Sequence, residues 1–193
     1  MVFERSGFLE SRIADITAQA GTATGSFYTY FDSKVEIFTA VVEAINAEMH
    51  HPVSLQVLAS DGPGLLERIA GNHRSYLNAY RENARMMSVI EQVTNVSDDF
   101  RRARTAGAQD ALRRSADAIR SLQKAGRADP DLDPVLTARA LSVMVSRTAY
   151  VTFVLEEETG TESIEAMVET LTRLWARALG LALQTEPAGA PSQ

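Results

Sequence analysis

The chain has 193 residues, of which 45% are hydrophobic and 23% charged, so it can fold one or two domains around a sound core without disulfides or metals. It contains no cysteine and only three histidines. A disulfide framework, a cysteine-ligated zinc site and a thiol nucleophile are therefore excluded, and most other metal and triad chemistry is disfavoured. The formal net charge of −6 argues against a chain that coats nucleic acid, although it allows a local basic face.

The chain shows no export or membrane signal. Residues 1–5 lack the apolar run of a signal peptide. The most apolar stretch, residues 135–155, is interrupted by arginines and serines, as is typical of a buried helix. We therefore expect no contact with a membrane and a cytoplasmic location.

Helical periodicity dominates the sequence. Apolar side chains recur every three or four residues from Leu65 and again from Ile164, and no stretch alternates as a strand does. The fold class predicted is all-α.

Capping signals divide this all-α chain into helices. Ser33 and Glu36 form a capping box that opens a helix to about Met49. Later helices are expected after Asp61-Gly-Pro63, over 84–96, from Ser97 to near Gly126, from Asp133-Pro134 to about 157, and over 162–183. Short, glycine-separated elements predict a small head over residues 1–48, followed by a larger helical body over 49–184 and a disordered tail over 185–193.

Residues 11–31 predict a helix-turn-helix. Ser11 is expected to cap the first helix, and Gly21 to supply the left-handed residue that ends it. The inner face of that helix would be Ile13, Ile16 and Ala20. The second helix, about Thr22 to Tyr30, begins with small polar side chains, so its end fits a major groove about 12 Å wide.

An ordered set of motifs runs through the head: Gly7-Phe8, Ser11, Asp15-Ile16, Ala20-Gly21, Gly25, Phe27 to Phe31, and Ser33-Lys34. With these motifs, residues 2–41 closely resemble the DNA-binding head of TetR-family transcriptional regulators, whereas the body resembles that family only in layout. The resemblance implies a TetR-like fold, a homodimer and double-stranded operator DNA as partner. We expect no enzymatic activity and no cofactor.

The resemblance also implies the roles of individual head residues. Thr24 and Ser26 would face base edges, whereas the phosphate contacts would fix register. Tyr30 would pack against a neighbouring helix. The complete set of expected DNA-binding residues is Ser11, Thr22, Thr24, Ser26, Phe27, Tyr28, Thr29 and Lys34, of which Ser11, Tyr28, Thr29 and Lys34 contact phosphates and Phe27 is also expected in the core.

Two features depart from the family. Positions 24 and 29 are threonines where relatives often have a basic residue and a histidine, so the recognition helix carries no positive charge. Residues 1–60 hold three basic and seven acidic side chains, a net charge of −4, which is the wrong sign for a DNA-binding head. Because relatives begin with a longer basic helix, we expect the given start to be internal to the natural protein.

The two C-terminal helices, 135–157 and 162–183, are expected to form the dimer interface. The first is apolar nearly all round, which exceeds what one core face needs, and two such helices from each chain would make a four-helix bundle. A dimer would bring two heads to half-sites about 34 Å apart. The alternative is that both helices are simply core.

A pocket for a small hydrophobic effector is expected among the middle helices of the body. Met86 and Met87 would give it a pliable wall, and His73, Gln92, Asn95 or Thr148 could supply polar anchors. The expected ligand-binding residues are Tyr76, Tyr80, Met86, Met87, Ile90, Val93, Ile119 and Leu122. The alternative is again that these residues are core, as His73 on its apolar stripe is expected to be.

Two functions remain open from the sequence. One is a ligand-responsive transcriptional regulator, a repressor that an effector releases from its operator through the helix from Ser33 to Met49. The other is a helical carrier or sensor of apolar ligands that has lost DNA binding, which the acidic head supports. No residue constellation supports an enzyme, and the arginines from Arg101 to Arg114 alternate with aspartates, as on an ordinary charged surface.

Overall fold

The computed structural model describes residues 1–48, 64–156 and 163–181. The described residues contain helices and no strands, which confirms the all-α prediction. The helices are α1 (Val2–Glu10), α2 (Ile13–Gln19), α3 (Thr24–Tyr30), α4 (Lys34–Glu48), α5 (Leu65–Glu82), α6 (Ala84–Val96), α7 (Asp98–Lys124), α8 (Pro134–Phe153) and α9 (Ile164–Ala178).

Capping side chains begin the helices where the sequence predicts them. The Ser33 hydroxyl accepts a hydrogen bond from the Glu36 amide at 3.1 Å at the start of α4. The side chains of Ser97 and Asp133 accept from the amide three residues further on, at 3.3 Å and 2.6 Å. Because each satisfies an amide without an intrahelical partner, the starts of α4, α7 and α8 are confirmed.

Two helix ends differ from the sequence-based expectation. α8 ends at Phe153 rather than near residue 157. α9 ends at Ala178 rather than 183, because Gly180 takes a left-handed conformation with φ 69° and the Leu181 amide donates to the Ala176 carbonyl at 2.8 Å. The predicted helix starts at Asp61-Gly-Pro63 and at residue 162, and the tail over 185–193, lie outside the described residues.

A central helix organises the body. α5 packs against both α8 and α9, and α7 packs along α8. The head joins this bundle through α1, which contacts α6, and through α4, which contacts α7. One cluster of buried side chains runs from Phe3 and Phe8 in the head to Trp175 in α9, so head and body share a continuous hydrophobic core.

Candidate nucleic-acid interface and ligand site

The turn between α2 and α3 has the geometry of a helix-turn-helix. Gly21 lies in the left-handed region with φ 66°, as predicted. The Thr22 amide donates to the Thr17 carbonyl at 3.0 Å, which closes the end of α2. α3 begins at Thr24, two residues later than expected, so Thr22 belongs to the turn.

Thr17 is a buried side chain that the sequence did not single out. Its hydroxyl lies 3.1 Å from two carbonyls of its own helix and 3.3 Å from the Thr24 hydroxyl. Two carbonyls that can only accept lie closer to the Thr17 hydroxyl than the Thr24 oxygen does, which favours Thr24 as the donor of the bond that ties α3 to α2. The sequence signal for Thr17 was its place one residue after Ile16 on the expected inner face of α2. Ala20, which was also expected on that face, is exposed.

The polar side chains of α3 lie mostly at the surface. Among the expected DNA-binding residues, the structure exposes Thr22, Thr24, Tyr28 and Thr29 and half-buries Ser26. Tyr30, expected to pack against a neighbouring helix, is instead 75% exposed. The surface of α3 therefore presents hydroxyl and methyl groups and no charge.

Two of the expected DNA-binding side chains are buried. The Phe27 ring packs 5.7 Å from the Phe31 ring and belongs to the core of the head. The residue before α2 is Arg12, with no side-chain cap, so the expectation that Ser11 caps this helix is wrong. The Ser11 hydroxyl instead donates to the Phe8 carbonyl at 2.8 Å.

Lys34, an expected phosphate contact, is occupied within the head. Its ammonium nitrogen donates to the carbonyls of Phe8 at 2.7 Å, Ser11 at 2.8 Å and Leu9 at 3.1 Å. The same nitrogen lies 4.7 Å from the centre of the Phe8 ring. The side chain is half-buried between the end of α1 and the start of α4.

The surface of the described head is acidic. Its exposed cationic side chains are Arg5 and Arg12, whereas Glu10, Asp15 and Asp32 are all exposed as well. Binding of a phosphate backbone here would depend on hydroxyl and amide donors more than on charge.

Four phenylalanines join the head to the body. The Phe38 ring of α4 lies 5.0 Å from that of Phe3, 5.1 Å from that of Phe8 and 5.0 Å from that of Phe100 at the start of α7. Phe38 is completely buried and Phe100 almost so. These ring contacts pack α7 directly against α1 and α4.

The expected ligand-binding residues lie together in the core of the body. All of them are buried: Tyr76, Tyr80, Met86, Met87, Ile90, Val93, Ile119 and Leu122. Burial raises the pKa of Tyr76 to about 12 and also raises the pKa of Tyr80, so both are neutral phenols near pH 7. Their burial agrees with the alternative that these residues are simply core. Their role in binding an effector stays a prediction.

His73 is buried, as expected, and only half of its hydrogen-bonding capacity is used. Its Nδ1 lies 3.0 Å from the Thr172 hydroxyl, whereas its Nε2 and the Nε1 of Trp175 have no partner. Burial lowers the pKa of His73 to about 4, so the ring is neutral near pH 7. Of the other suggested anchors, Gln92 and Asn95 are exposed.

Thr148, the last of the suggested anchors, donates its hydroxyl to the Met144 carbonyl at 2.8 Å within α8. A cleft of about 280 Å³ lies along α7, beside the start of α8. It is lined by Gln109, Leu112, Arg113, Ala116, Arg120 and Val135. It shares no residue with the expected set.

The arginines of α7 are paired as the charge pattern predicts. Four of its six arginines form an ion pair with an aspartate three residues earlier, and Arg104 pairs with Glu91 of α6; the four pairs are Arg101 with Asp98, Arg102 with Asp99, Arg113 with Asp110 and Arg120 with Asp117. α7 holds seven basic and four acidic side chains, so these exposed ion pairs leave the helix a net charge of +3. Over residues 1–48, 64–156 and 163–181, no cluster of ligating side chains is placed to hold a metal ion. In the same ranges no helix is long and apolar enough to span a membrane.

Apolar side chains remain exposed on the last two helices. On α8, Leu136 and Val143 lie seven residues apart, hence on one face, and are 63% and 56% exposed. On α9, Leu174 is also exposed. α8 packs against α7 and α5, and α9 packs against α5, so these three side chains lie on faces of the two helices that the described residues leave uncovered.

The fold and head together define an all-α protein with a helix-turn-helix joined to a helical bundle. Comparison with known proteins identifies the class more closely: residues 1–41 match the family of bacterial regulatory proteins called the tetR family. The whole chain resembles solved structures at low identity, whereas it matches no curated protein in sequence. The head thus matches the family model over residues 1–41, and the likeness to the solved structures shows that the whole chain shares their fold.

Three of the solved structures illustrate the likeness. The TetR-family transcriptional regulator PfmR from Thermus thermophilus shares 17% identity over 94% of each chain, with a TM-score of 0.62. SmeT, solved in complex with triclosan, shares 20% identity over 98% of this chain and 93% of its own, with a TM-score of 0.70. The fatty acid degradation regulator FadR from Bacillus halodurans shares 14% identity over 90% and 88%, with a TM-score of 0.70.

Proposed function

We propose that the chain is a homodimeric repressor that reads operator DNA through α3 and is released by a small hydrophobic effector. The observation that carries the proposal is the uncharged, exposed surface of α3, held in a helix-turn-helix by the bond between Thr17 and Thr24. A helix end with small side chains fits the major groove.

The hydrogen bond between Thr24 and Thr17 restricts which bases Thr24 can contact. With its proton directed to Thr17, as the two carbonyls beside the Thr17 hydroxyl favour, the Thr24 oxygen would face a base edge only as an acceptor. The base groups that donate in the major groove are the amino groups of adenine and cytosine. We therefore expect an adenine or a cytosine opposite Thr24 in each half-site. Thr22 and Ser26 would add base contacts, while Tyr28 and Thr29 would contact phosphates.

Dimerisation would use the apolar face of α8 and α9. Leu136, Val143 and Leu174 are exposed there although each is large and apolar. Pairing this surface with its copy would bury it and set two heads at half-sites about 34 Å apart.

The effector would bind in the body, where the buried tyrosines and methionines of α5 and α6 lie. Two relatives favour an apolar molecule: SmeT is bound to triclosan, and FadR is a regulator of fatty acid degradation. Binding there would shift α7, and the ring contact between Phe38 and Phe100 would carry the shift into the head.

Retention of fragmented genomic DNA by the purified chain, followed by sequencing, tests this proposal. We expect one short palindrome whose half-sites are about 34 Å apart, and release of that fragment when triclosan or a long-chain fatty acid is added. Thr24→Ala should lose retention, whereas Thr105→Ala, an exposed threonine of α7, should keep it. If no fragment is retained even at low salt, the proposal fails and the carrier of apolar ligands, favoured by the acidic head, replaces it.

A further inference from the structure

We propose that the effector is an apolar acid whose carboxylate is bound by arginine and tyrosine side chains where α5, α6, α7 and α8 meet in the body. The inference rests on the proposed function for the role of the effector, and it adds the chemical class of the ligand and the residues that select it. Each of these four helices packs against at least two of the others. The arginine–tyrosine cluster consists of Tyr76, Tyr80, Glu91, Arg104 and Tyr150, with Arg147 at its edge.

The guanidinium group of Arg104 in α7 is held against α6. Its two terminal nitrogens donate to the Thr94 hydroxyl at 2.7 Å and to the Glu91 carboxylate at 2.8 Å. The Thr94 hydroxyl donates its own proton to the Ile90 carbonyl at 2.7 Å, so its oxygen is free to accept from Arg104. These bonds use two of the five N–H groups of the guanidinium, and the side chain is 38% exposed, so N–H groups remain for a ligand.

Two buried phenols lie beside this guanidinium group. Tyr76 and Tyr80 are 8% and 6% exposed, and the centres of their rings are 5.7 Å apart along α5. Burial raises the pKa of both tyrosines, whereas the charge of Arg104 lowers it, so Arg104 lies near both hydroxyls. Within the described ranges neither hydroxyl forms a hydrogen bond, so both can donate to an acceptor.

The cluster carries one positive charge in excess. Burial raises the pKa of Tyr80, Glu91 raises it further and Arg104 lowers it, so both charges lie near its hydroxyl. Tyr150 of α8 also raises this pKa, and the Arg147 guanidinium lies 4.9 Å from the centre of the Tyr150 ring. Arg147 is exposed and has no ion-pair partner among the described residues. With two cations and one carboxylate, the cluster would become neutral when it binds one further carboxylate.

Apolar side chains adjoin the cluster on α6. Met87 lies one turn before Glu91, and Ile90 lies one turn before Thr94, so each pair shares a face of the helix. Met87 and Ile90 are only 7% and 3% exposed. The polar groups therefore lie at the surface and the apolar groups in the core beside them. A ligand with a carboxylate at one end and an apolar body matches both, and methionine adapts to irregular apolar shapes.

Isothermal titration calorimetry of the full chain with decanoate and decanamide tests the inference without DNA. The two molecules share an alkyl chain and a planar head, but only decanoate is charged at pH 8. We expect decanoate to bind at least about tenfold more tightly, as for hydrogen bonds that involve a charged group. Equal affinities for the two molecules, or no binding of decanoate at millimolar concentration, would overturn the inference.

Two substitutions in the cluster should act in opposite directions. Arg104→Gln removes the guanidinium charge and should weaken decanoate binding about 10–100-fold. Glu91→Gln removes the competing carboxylate and should strengthen decanoate binding about two- to fivefold. Decanamide binding should change little in either variant, and Arg104→Lys should keep part of the preference for decanoate.

Arg113→Gln is the matched control, since Arg113 is an exposed arginine of α7 outside the cluster. It should keep the full preference for decanoate. A preference that survives Arg104→Gln, or weaker decanoate binding in Glu91→Gln, would refute the inference.

Failure of this inference and failure of the proposed function can be told apart. Charge-selective binding of decanoate by a chain that retains no DNA supports the inference, whereas the proposed function then fails. A chain that retains DNA and is released by triclosan, but does not distinguish decanoate from decanamide, keeps the proposed function and refutes the inference.

Discussion

Acidification should destabilise the body through His73. The ring is fully buried between α5 and α9, and burial lowers its pKa from 6.5 to about 4. Because the pKa of His73 is lower in the folded state, the folded state has its full stability only above the unfolded pKa of 6.5. That stability is lost as the pH falls towards 4, because the unfolded chain binds the proton more tightly.

The expected magnitude follows from this difference in pKa. A shift of about 2.5 units corresponds to about 3 kcal/mol once the pH is below both values. At pH 5.5 the loss relative to pH 8 is about 1 kcal/mol, from the same linkage relation. A typical domain has only about 5–15 kcal/mol in total, so the loss is measurable.

Urea unfolding at pH 8 and pH 5.5 measures the effect, at one fixed protein concentration because dimer unfolding depends on it. His73→Gln keeps a polar group near Thr172 but does not titrate. The wild-type free energy of unfolding should fall by about 1 kcal/mol more than that of the variant between the two pH values. An equal fall in both proteins would refute the reasoning, since another group would then be responsible.

Other substitutions test the joint, the turn and the dimer. Phe38→Ala should lower the free energy of unfolding by about 3–5 kcal/mol. Leu9→Ala, at a site that is 71% exposed, should change it by less than about 0.5 kcal/mol. Equal effects of the two substitutions in urea titrations would contradict the packing of Phe38 between head and body. Thr17→Val should cost about 1 kcal/mol by the same titration and weaken DNA binding, and unchanged binding would show that the bond between α2 and α3 is dispensable. Leu136→Glu combined with Val143→Glu should give a monomer in sedimentation equilibrium, and a persisting dimer would place the interface elsewhere.

Helix starts could be read from the sequence because their signals are local. Ser33, Ser97 and Asp133 each cap a helix with an amide only three residues away, so one short window contains both partners. Gly21 was likewise readable, since a left-handed residue at a helix end favours glycine. Gly180 gave the same signal, but the apolar pattern that continues past it predicted a longer α9.

Side-chain contacts between residues that are distant along the chain could not be predicted from such local sequence signals. Lys34 and Phe8 meet only after α2 and α3 have folded between them, so no short window of the sequence contains both partners. The predicted capping role of Ser11 was wrong for a related reason. A serine just before a helix can cap that helix or bond back to the preceding one, and only the packing of α1 decides between them.

The most direct test of the account is the dissociation constant of the chain for its recovered DNA fragment, measured beside a scrambled fragment of equal length at the same salt concentration. The account predicts binding at least about 10³-fold tighter to the recovered fragment, as for specific DNA-binding proteins. Thr24→Ala should lose most of that preference and Thr105→Ala should keep it. Equal affinity for the two fragments, or a preference that survives Thr24→Ala, would contradict the claim that α3 reads the operator.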